Sequence, residues 1–473
     1  MRNGVYATVL VSFILVVTIY SAVILATTSS DWLSPVKISP NYTDCGYLAC
    51  KYGYPAIAVD SSGIYIVWQK YMNGTGNFVI YYANSSDGSN WSWQNVSNTS
   101  HDYQFPDIAV DSNGVAHIVW TNNSAGYIFY TRSSNWSDIK TIAYVGQAPS
   151  ISTVADGVHI AWQDYRGEGH MIYYKKLHLN GDLFINETLL ANTSMHPDIA
   201  SNLDNVYVVW YDSRTGNNEI YLNKSTNGGS TWSNGVQITN STYDSTQPAV
   251  AVGPDGKIYI AWSDNRDGNY EIYYAYSSDG SNWTERRVTN DPELSTNPDI
   301  AVDSHGINIV WQGWESKKAF YANSVDGSSW STSELGQDNQ GSYEPCIATY
   351  GGNTHVVWRN NKTDIYYSRK NRTLSLIINH NTSDSTIVLG VDSRDGIVVV
   401  NYNITSSIFS GIDNITSSTF SGTVSMDVYN ESGALFYHQD GLDYNTAVWD
   451  GTDGKGNYAD PEKNYTMKIT ASD

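Results

Sequence analysis

The sequence predicts an all-β chain built from seven similar four-stranded units, and three observations support this. A phrase consisting of a proline, an apolar strand, a Gly or Asn turn and a second strand ending in tryptophan occurs seven times between Pro55 and Trp358. The phrase recurs about every 42 to 52 residues, the period of a propeller blade. Aromatic residues, which favour half-buried strands, make up 13% of the chain. We therefore expect a seven-bladed β-propeller over residues 31–371.

Each repeat contains the turns that a four-stranded meander needs. In the fifth repeat, strands are expected at 249–252, 257–262, 271–274 and 287–288, separated by turns rich in Gly, Pro, Asn and Asp. Radial repetition of such a meander buries the faces of neighbouring units. The repeated prolines are Pro55, Pro106, Pro149, Pro197, Pro248, Pro298 and Pro345, and the tryptophans are Trp68, Trp120, Trp162, Trp210, Trp262, Trp311 and Trp358.

The ends of the array predict how the ring closes. The seventh repeat stops after its third strand at 365–367, whereas residues 32–38 resemble the stretch that follows the turn between third and fourth strands elsewhere. We expect this N-terminal segment to supply the outer strand of the seventh blade. Closure of this kind removes an open sheet edge.

A second phrase, Ser-x-Asp-Gly-x-x-Trp, marks the turn between the third and fourth strands. Its acid accepts backbone N–H groups, its glycine supplies a positive φ, and its tryptophan packs between blades. The phrase resembles the Asp-box of sialidase-like propellers, and its recurrence in four repeats favours a structural role. Its key residues are Asp87 and Trp91, Asn227 and Trp232 in a variant form, Asp279 and Trp283, and Asp326 and Trp330.

The repeat is lost after residue 371, and residues 372–473 form a second predicted domain. Strands are expected near 386–391, 397–404, 423–429 and 465–470. The stretch from 428 to 469 resembles the Ig-like domain of flagellar-hook-capping and surface proteins, which implies a β-sandwich. Asp450 and Asp453 offer a weak calcium site, although a plain hairpin turn is favoured because a final glutamate is missing. No other metal and no cofactor is expected.

The N-terminal segment predicts export. Residues 5–26 are uncharged and mostly apolar, and a helix of these 22 residues is long enough to cross a bilayer. Residues 1–30 are therefore expected to be a membrane anchor, with a cleaved signal peptide as the alternative. About twenty Asn-x-Ser/Thr sequons, Asn84 and Asn282 among them, agree with an extracellular, archaeal-like surface glycoprotein.

The net charge bears on the expected partners, and the cysteine content bears on disulfides. The formal net charge is −21 and no basic cluster occurs, so nucleic acid is not an expected partner. Cys45 and Cys50 lie close enough in one loop to form a disulfide, which leaves Cys346 as an unassigned thiol.

Three adjacent repeats carry Asp-x-Arg after the second-strand tryptophan, on the face where the chain crosses from blade to blade. Arginine clamps carboxylates in a bidentate manner, so these residues are candidates for a binding face. The alternative, favoured by their repetition, is that each set stabilises its own hairpin. The candidates are Asp164 and Arg166; Asp212, Arg214 and Glu219; and Asp264, Arg266 and Glu271.

The resemblance to sialidases implies an arginine triad, a tyrosine nucleophile with a carboxylate partner and an acid-base aspartate. Tyr343 and Glu344, together with Arg166, Arg214 and Arg266, are the residues that such a hydrolase would use here. The arginine expected before the first blade is missing at Gly53-Tyr54-Pro55. We therefore expect non-catalytic binding of glycans or surface proteins through the crossover face. An exo-acting glycoside hydrolase and a structural component of a surface layer or filament are the alternatives.

Overall fold

The computed structural model describes most of residues 32–370. The described ranges are 32–40, 54–72, 75–97, 100–167, 169–336, 341–361 and 364–370; beyond them, only the strands between 377 and 472 are described. The chain divides into two compact units, one of which comprises Leu33–Tyr350 and Thr354–Arg369. Residues 5–26, the Cys45/Cys50 pair and the Asp450/Asp453 loop lie outside the described residues.

The first unit is a seven-bladed β-propeller, as the repeat predicts, and every blade is a four-stranded antiparallel sheet. The first three blades are β2 (Ala56–Asp60), β3 (Gly63–Met72), β4 (Asn77–Ser85) and β5 (Ser92–Asn95); β6 (Tyr103–Val110), β7 (Ala116–Asn122), β8 (Tyr127–Arg132) and β9 (Asn135–Ala143); and β10 (Gln147–Val154), β11 (Gly157–Gly167), β12 (Gly169–Leu177) and β13 (Leu183–Asn192).

The next three blades have the same order, and each consists of four consecutive strands. They are β14 (Ser194–Asn202), β15 (Asn205–Asp212), β16 (Glu219–Ser225) and β17 (Val236–Gln237); β18 (Ser245–Val252), β19 (Ile258–Asp264), β20 (Glu271–Ser277) and β21 (Thr284–Arg287); and β22 (Ser295–Asp303), β23 (Gly306–Gly313), β24 (Lys318–Ser324) and β25 (Ser331–Leu335).

The seventh blade combines both ends of the array, which confirms the predicted closure. Its strands are β26 (Tyr343–Tyr350), β27 (Asn353–Arg359), β28 (Ile365–Lys370) and the N-terminal β1 (Val36–Lys37). In the register, Val36 lies opposite Tyr367 and Lys37 opposite Tyr366. The first strand of every blade contacts the first strand of the next, and β26 contacts β2, so the ring is continuous.

One tryptophan per blade forms the core between blades. The seven second-strand tryptophans are at most 2% exposed. Each lies against an aromatic residue at the facing position of the third strand, with ring centroids 5.6 to 6.2 Å apart. Such directly opposed aromatic pairs stabilise neighbouring strands, and the repeated tryptophan therefore has a packing role.

The turns between third and fourth strands have the hydrogen bonds that the sequence suggests. In blade one, Asp87 accepts the backbone N–H groups of Ser89 and Asn90 at 2.8 and 2.9 Å, while Gly88 has a φ of 76°. Trp91 donates its indole N–H to the Gly88 carbonyl at 3.1 Å. Asp279 accepts the backbone N–H groups of Ser281 and Asn282 in the same way, Asp326 accepts from Ser328, and Asn227 accepts from Thr231. These hydrogen bonds stabilise the turns on the face opposite the crossovers.

The strands after residue 370 form two antiparallel sheets. Five strands pair in the order β29 (Ile377–Asn379), β30 (Val388–Val391), β35 (Tyr465–Ser472), β32 (Thr423–Asn430) and β33 (Leu435–Leu442). A separate pair consists of β31 (Val398–Asn401) and β34 (Thr446–Trp449). Strands thus occur in all four stretches where the sequence predicts them. No helix in the described part of the chain is long and apolar enough to span a membrane.

Candidate functional site

The three Asp-x-Arg pairs each stabilise a hairpin of their own blade. Arg166 donates to both oxygens of Asp164 at 2.9 and 2.7 Å, and Arg266 does the same with Asp264 at 2.8 and 2.6 Å. Arg214 pairs with Asp212 in the same way. The three aspartates have no exposed surface. Burial alone would raise the pKa of Asp264, but hydrogen bonds from Arg266 and Trp262 hold it below its ordinary value.

An aromatic ring contacts each of the three guanidinium groups, and two of these groups also bind a second carboxylate. The guanidinium carbons lie 4.3 to 4.5 Å from the ring centroids of Tyr173, Tyr221 and Tyr273, each in the same blade as its arginine. Arg166 also binds Glu187 at 2.7 Å, and Arg266 binds Glu285. Every arginine of the set is therefore neutralised within its own blade.

Glu219 and Glu271 hold the loops that cross to the next blade. Glu219 accepts from Ser241 N at 2.9 Å and from the Thr239 hydroxyl. Glu271 accepts from Asp291 N at 3.0 Å and from Arg287 Nη2 at 2.8 Å. Both glutamates are at most 1% exposed, so their contacts are structural.

Tyr343 and Glu344 meet a third residue that sequence reasoning missed, Arg359. Arg359 donates to the two oxygens of Glu344 at 2.8 and 3.1 Å, and its guanidinium carbon lies 4.5 Å from the Tyr343 ring centroid. Glu344 also accepts the backbone N–H of Tyr54 from blade one at 3.1 Å. Both carboxylate oxygens thus have donors, and the group joins blade seven to blade one.

A strained backbone position recurs at the start of all seven first strands. The residue before each repeated proline has a φ between 35° and 55°, although none of these residues is glycine. Such left-handed conformations cost roughly 1–3 kcal/mol each and cluster at functional sites. We call these residues the bulge ring. They are Tyr54, Phe105, Ala148, His196, Gln247, Asn297 and Glu344.

Hydrogen bonds from the preceding blade hold the bulge ring in place. The backbone N–H of Phe105 donates to Gln69 Oε1 at 2.8 Å, and that of His196 donates to Gln163 Oε1 at 3.1 Å. The N–H of Glu344 donates to Gln312 Oε1, also at 3.1 Å. Each acceptor directly follows a core tryptophan. The backbone is therefore the same around the ring, whereas the seven side chains all differ.

In every second blade, an aspartate follows the bulge-ring residue by two positions in the sequence. Asp107, Asp198 and Asp299 accept the backbone N–H of Ile151, Val250 and Ile347, each in the following blade, at 2.9, 2.7 and 2.8 Å. We call them the channel carboxyls. They lie in the first strands of blades two, four and six, the strands that contact one another around the ring.

Burial controls the ionisation of the channel carboxyls. Burial, with a smaller contribution from neighbouring carboxyl charges, raises the pKa of Asp107 to about 6 and that of Asp198 to about 7. Cys346, in blade seven, is a free cysteine that hydrogen-bonds Asp299, and burial raises the pKa of its thiol well above the usual range. The sequence signal for this group is Pro-Asp in every second repeat, which our interpretation of the sequence missed.

Blade three adds a polar aromatic cluster beside the ring. The Tyr165 hydroxyl donates to Gln147 at 2.6 Å and accepts from Gln163 Nε2 at 2.7 Å. Gln163 Nε2 also lies 2.8 Å from His170 Nδ1, in a hairpin where neighbouring blades have no histidine. Tyr165 is 39% exposed. Among the described residues, no group of three or more His, Cys, Asp or Glu side chains is placed to hold a metal ion.

Comparison with known proteins shows similarity of fold only. No family profile and no curated protein matches the chain. Similar solved structures include an ulvan lyase bound to its saccharide (11% identity over 68% of this chain and 94% of the other, TM-score 0.49). An α-L-arabinanase of Penicillium chrysogenum has 14% identity over 72% of this chain and 98% of its own, with a TM-score of 0.44. The intramolecular trans-sialidase of Ruminococcus gnavus has 13% identity over 68% and 94%, with a TM-score of 0.40.

Proposed function

We propose that this protein is an exported surface propeller that binds glycans through the bulge ring without turning them over. The observation that carries the proposal is the contrast between backbone and side chains. Seven blades repeat one strained conformation, yet each presents a different residue there. A structural role explains the repeated conformation, whereas a single ligand on a pseudo-symmetric ring requires different side chains around it.

The chemistry around the ring favours neutral sugars. Tyr54 and Phe105 form an aromatic pair with centroids 5.0 Å apart, and Tyr54 is 37% exposed. Aromatic rings with nearby amide and hydroxyl groups are suited to sugars, since they combine an apolar face with hydrogen bonding. Arg166, Arg214 and Arg266 are already paired with carboxylates, and each channel carboxyl follows a bulge-ring residue by two positions in the sequence. These features disfavour acidic glycans.

A glycan array probed with the full chain tests this proposal. We expect binding to neutral glycans, and Tyr54→Ala or His196→Ala should weaken it roughly tenfold or more if either residue is a central contact. Leu203→Ala is the matched control, because Leu203 is 77% exposed and also has a positive φ (52°) but lies in a turn on the opposite face. Selective binding of acidic glycans, or equal loss in the Leu203 variant, would contradict the proposal.

The hydrolase alternative rests on the Tyr343–Glu344–Arg359 group. It requires Glu344 to accept a proton from Tyr343, whereas the bonds from Arg359 and from the Tyr54 N–H give the Glu344 carboxylate a structural role between blades seven and one. We therefore favour binding without turnover. Release of a fluorophore from sialosyl or other exo-glycosides, lost on Tyr343→Phe, would establish the hydrolase instead.

The same proposal assigns roles to the two ends of the chain. Residues 1–30 export the protein and either anchor it in the membrane or are removed. Residues 372–473 form an Ig-like module that contacts neighbouring surface proteins. Fractionation of expressing cells and N-terminal sequencing of the product test the first assignment, and sedimentation of the full chain in detergent tests whether it self-assembles.

A further inference from the structure

Two cavities flank Trp91 at the outer edge of blade one. The first, about 370 Å³, is lined by Tyr65, Asn84, Asn90 and several serines. The second, about 410 Å³, is lined by Lys37, Trp93 and neighbouring residues, and Trp91 borders both. Each cavity falls within the size range of small-ligand sites. Both lie on the propeller edge, away from the bulge ring.

The lining of these cavities is polar but almost uncharged. Among the described lining residues, Lys37 is the one charged side chain, and it pairs with Asp364 at 2.9 Å. Trp93 is 48% exposed, with the Tyr81 ring behind it at a centroid distance of 6.0 Å. The exposed part of the indole therefore lies in the second cavity, together with the Ser39 and Ser89 hydroxyls. This combination is suited to a neutral sugar ring.

Two glycosylation sequons lie in the lining of the first cavity. They are Asn84-Ser85-Ser86 and Asn90-Trp91-Ser92. The Asn90 amide donates to Asp87 Oδ2 at 2.9 Å, which ties it to the turn. Asn84 and Ser86, the first and third positions of the other sequon, are both exposed. Asn84 is therefore the more accessible acceptor.

We propose that Asn84 is N-glycosylated and that its glycan occupies both cavities, with one sugar ring on the exposed face of Trp93. The donor is an oligosaccharide linked to a polyprenyl phosphate. Its C1–O bond to phosphate breaks, a C1–N bond to Asn84 Nδ2 forms, and Nδ2 loses a proton as the phosphate leaves with the electron pair. Asn84 lies opposite Ser92 and Trp93 opposite Ala83, so the two side chains are on opposite faces of blade one, and the glycan passes around the outer strand at Trp91 to reach Trp93. The inference rests on the proposed export, but not on the bulge ring.

The other turns of this type show that the aromatic platform is specific to blade one. At the position of Trp93, two residues after the turn tryptophan, blades four, five and six have Asn234, Glu285 and Thr332. Blade five has the sequon Asn282-Trp283-Thr284 with an exposed asparagine, but Glu285 there pairs with Arg266. Asn282 is the counterpart of Asn90, since its amide likewise donates to the turn aspartate, Asp279, at 2.8 Å, and it provides a control sequon without an aromatic platform.

Glycopeptide mass spectrometry and hydroxyl-radical footprinting test the proposal on the full chain expressed in an N-glycosylating host. We expect glycan on the peptide containing Asn84. Oxidation of Trp93 should be roughly twofold slower in the wild type than in Asn84→Gln or Ser86→Ala, because a stacked ring covers the open indole face. Asn282→Gln should leave the oxidation rate of Trp93 unchanged.

Three results would overturn the inference. The first is an unmodified Asn84 in a protein whose Asn282 is occupied, which leaves the proposed export intact. The second is a glycosylated Asn84 with equal oxidation of Trp93 in wild type and Asn84→Gln, which shows that the glycan does not cover the indole. The third is the absence of glycan from every sequon, in which case cell fractionation and N-terminal sequencing decide whether the proposed export fails as well.

Discussion

Replacing Asp198 by asparagine should change how the stability of the propeller depends on pH. Asp198 accepts Val250 N at 2.7 Å and the Ser150 hydroxyl at 2.8 Å, and burial raises its pKa to about 7. Asparagine has nearly the same shape and does not ionise. Its Oδ1 can keep the bond from Val250, while its Nδ2 donates to a Ser150 hydroxyl that has turned to accept. The substitution therefore removes one ionisation with few other changes.

The sign and size of the effect follow from the raised pKa. In the unfolded chain the carboxyl ionises near 3.8, whereas in the propeller it stays protonated up to about 7. The stability that Asp198 contributes is complete below pH 4, decreases between pH 4 and 7, and is constant above that. At 1.36 kcal/mol per pH unit, the decrease amounts to at most about 4 kcal/mol. For Asp107, with a pKa of about 6, it is at most about 3 kcal/mol.

Urea unfolding of wild type and Asp198→Asn, at pH values from 4 to 8, provides the measurement. The difference in unfolding free energy between variant and wild type should move in favour of the variant as the pH rises, by up to about 4 kcal/mol. The difference cancels the other titrating groups that both proteins share. Asp107 and Asp299 repel Asp198, so a double substitution should not be additive.

Asp279→Asn is a control that should show no change over this pH range. Backbone N–H groups of Asn282 and Ser281 lower the pKa of Asp279 below its ordinary value of 3.8, so its contribution is constant from pH 4 to 8 and is lost only in stronger acid. The corresponding turn of blade four already functions with Asn227. A difference for Asp198→Asn that stays flat from pH 4 to 8, or that moves against the variant as the pH rises, would refute the raised pKa.

Three further predictions concern the scaffold. Trp210→Ala should lower the unfolding free energy, measured in urea, by about 3–5 kcal/mol, whereas Trp93→Ala, at a site that is 48% exposed, should lower it far less. Equal losses would contradict the packing role of the repeated tryptophan. Gly327→Ala should destabilise the protein by about 1–3 kcal/mol more than Gly256→Ala. The two glycines have nearly the same φ, 73° and 76°, but a Cβ at 327 would lie 1.8 Å from the Tyr274 hydroxyl, whereas a Cβ at 256 would meet no atom within 4 Å. Similar melting temperatures of the two variants would contradict this. Glu344→Ala should cost about 1–3 kcal/mol, because it removes the acceptor of the Tyr54 N–H and the carboxylate that Arg359 binds. Adding Arg359→Gln should recover most of the loss, and a double variant no more stable than the single one would contradict the proposed link.

The sequence predicts the blades and their closure well because their signals are local and repeated. A proline, a turn and a tryptophan at a constant spacing specify a meander, and seven copies make each assignment support the others. The segment that closes the ring was found in the same way. Residues 32–38 resemble an outer strand, and Val36 indeed lies opposite Tyr367. The favoured interpretation of Arg166 also came from repetition, and it pairs with Asp164 in its own blade.

The bulge ring and the channel carboxyls could not be found in this way. A residue before proline is ordinarily extended, so nothing local predicts a φ of 53° at Phe105. The conformation depends on Gln69, which accepts the Phe105 N–H from the preceding blade. Likewise, Asp107 accepts its hydrogen bond from Ile151, which is 44 residues away in sequence and belongs to the next blade. Contacts of this kind follow from the assembled fold.

The pairing of Glu344 with Arg359 follows from the same inter-blade rule, and this weakens its interpretation as a catalytic group. In blades one, three and six, the residue after the core tryptophan is a glutamine whose oxygen accepts the N–H of the next bulge. In blade seven that position is Arg359, which has no acceptor. The N–H of Tyr54 is accepted instead by Glu344, and Arg359 holds that carboxylate in position. The pair that resembles a nucleophile and its partner in sequence thus replaces one glutamine in structure, at the seam where the ring closes.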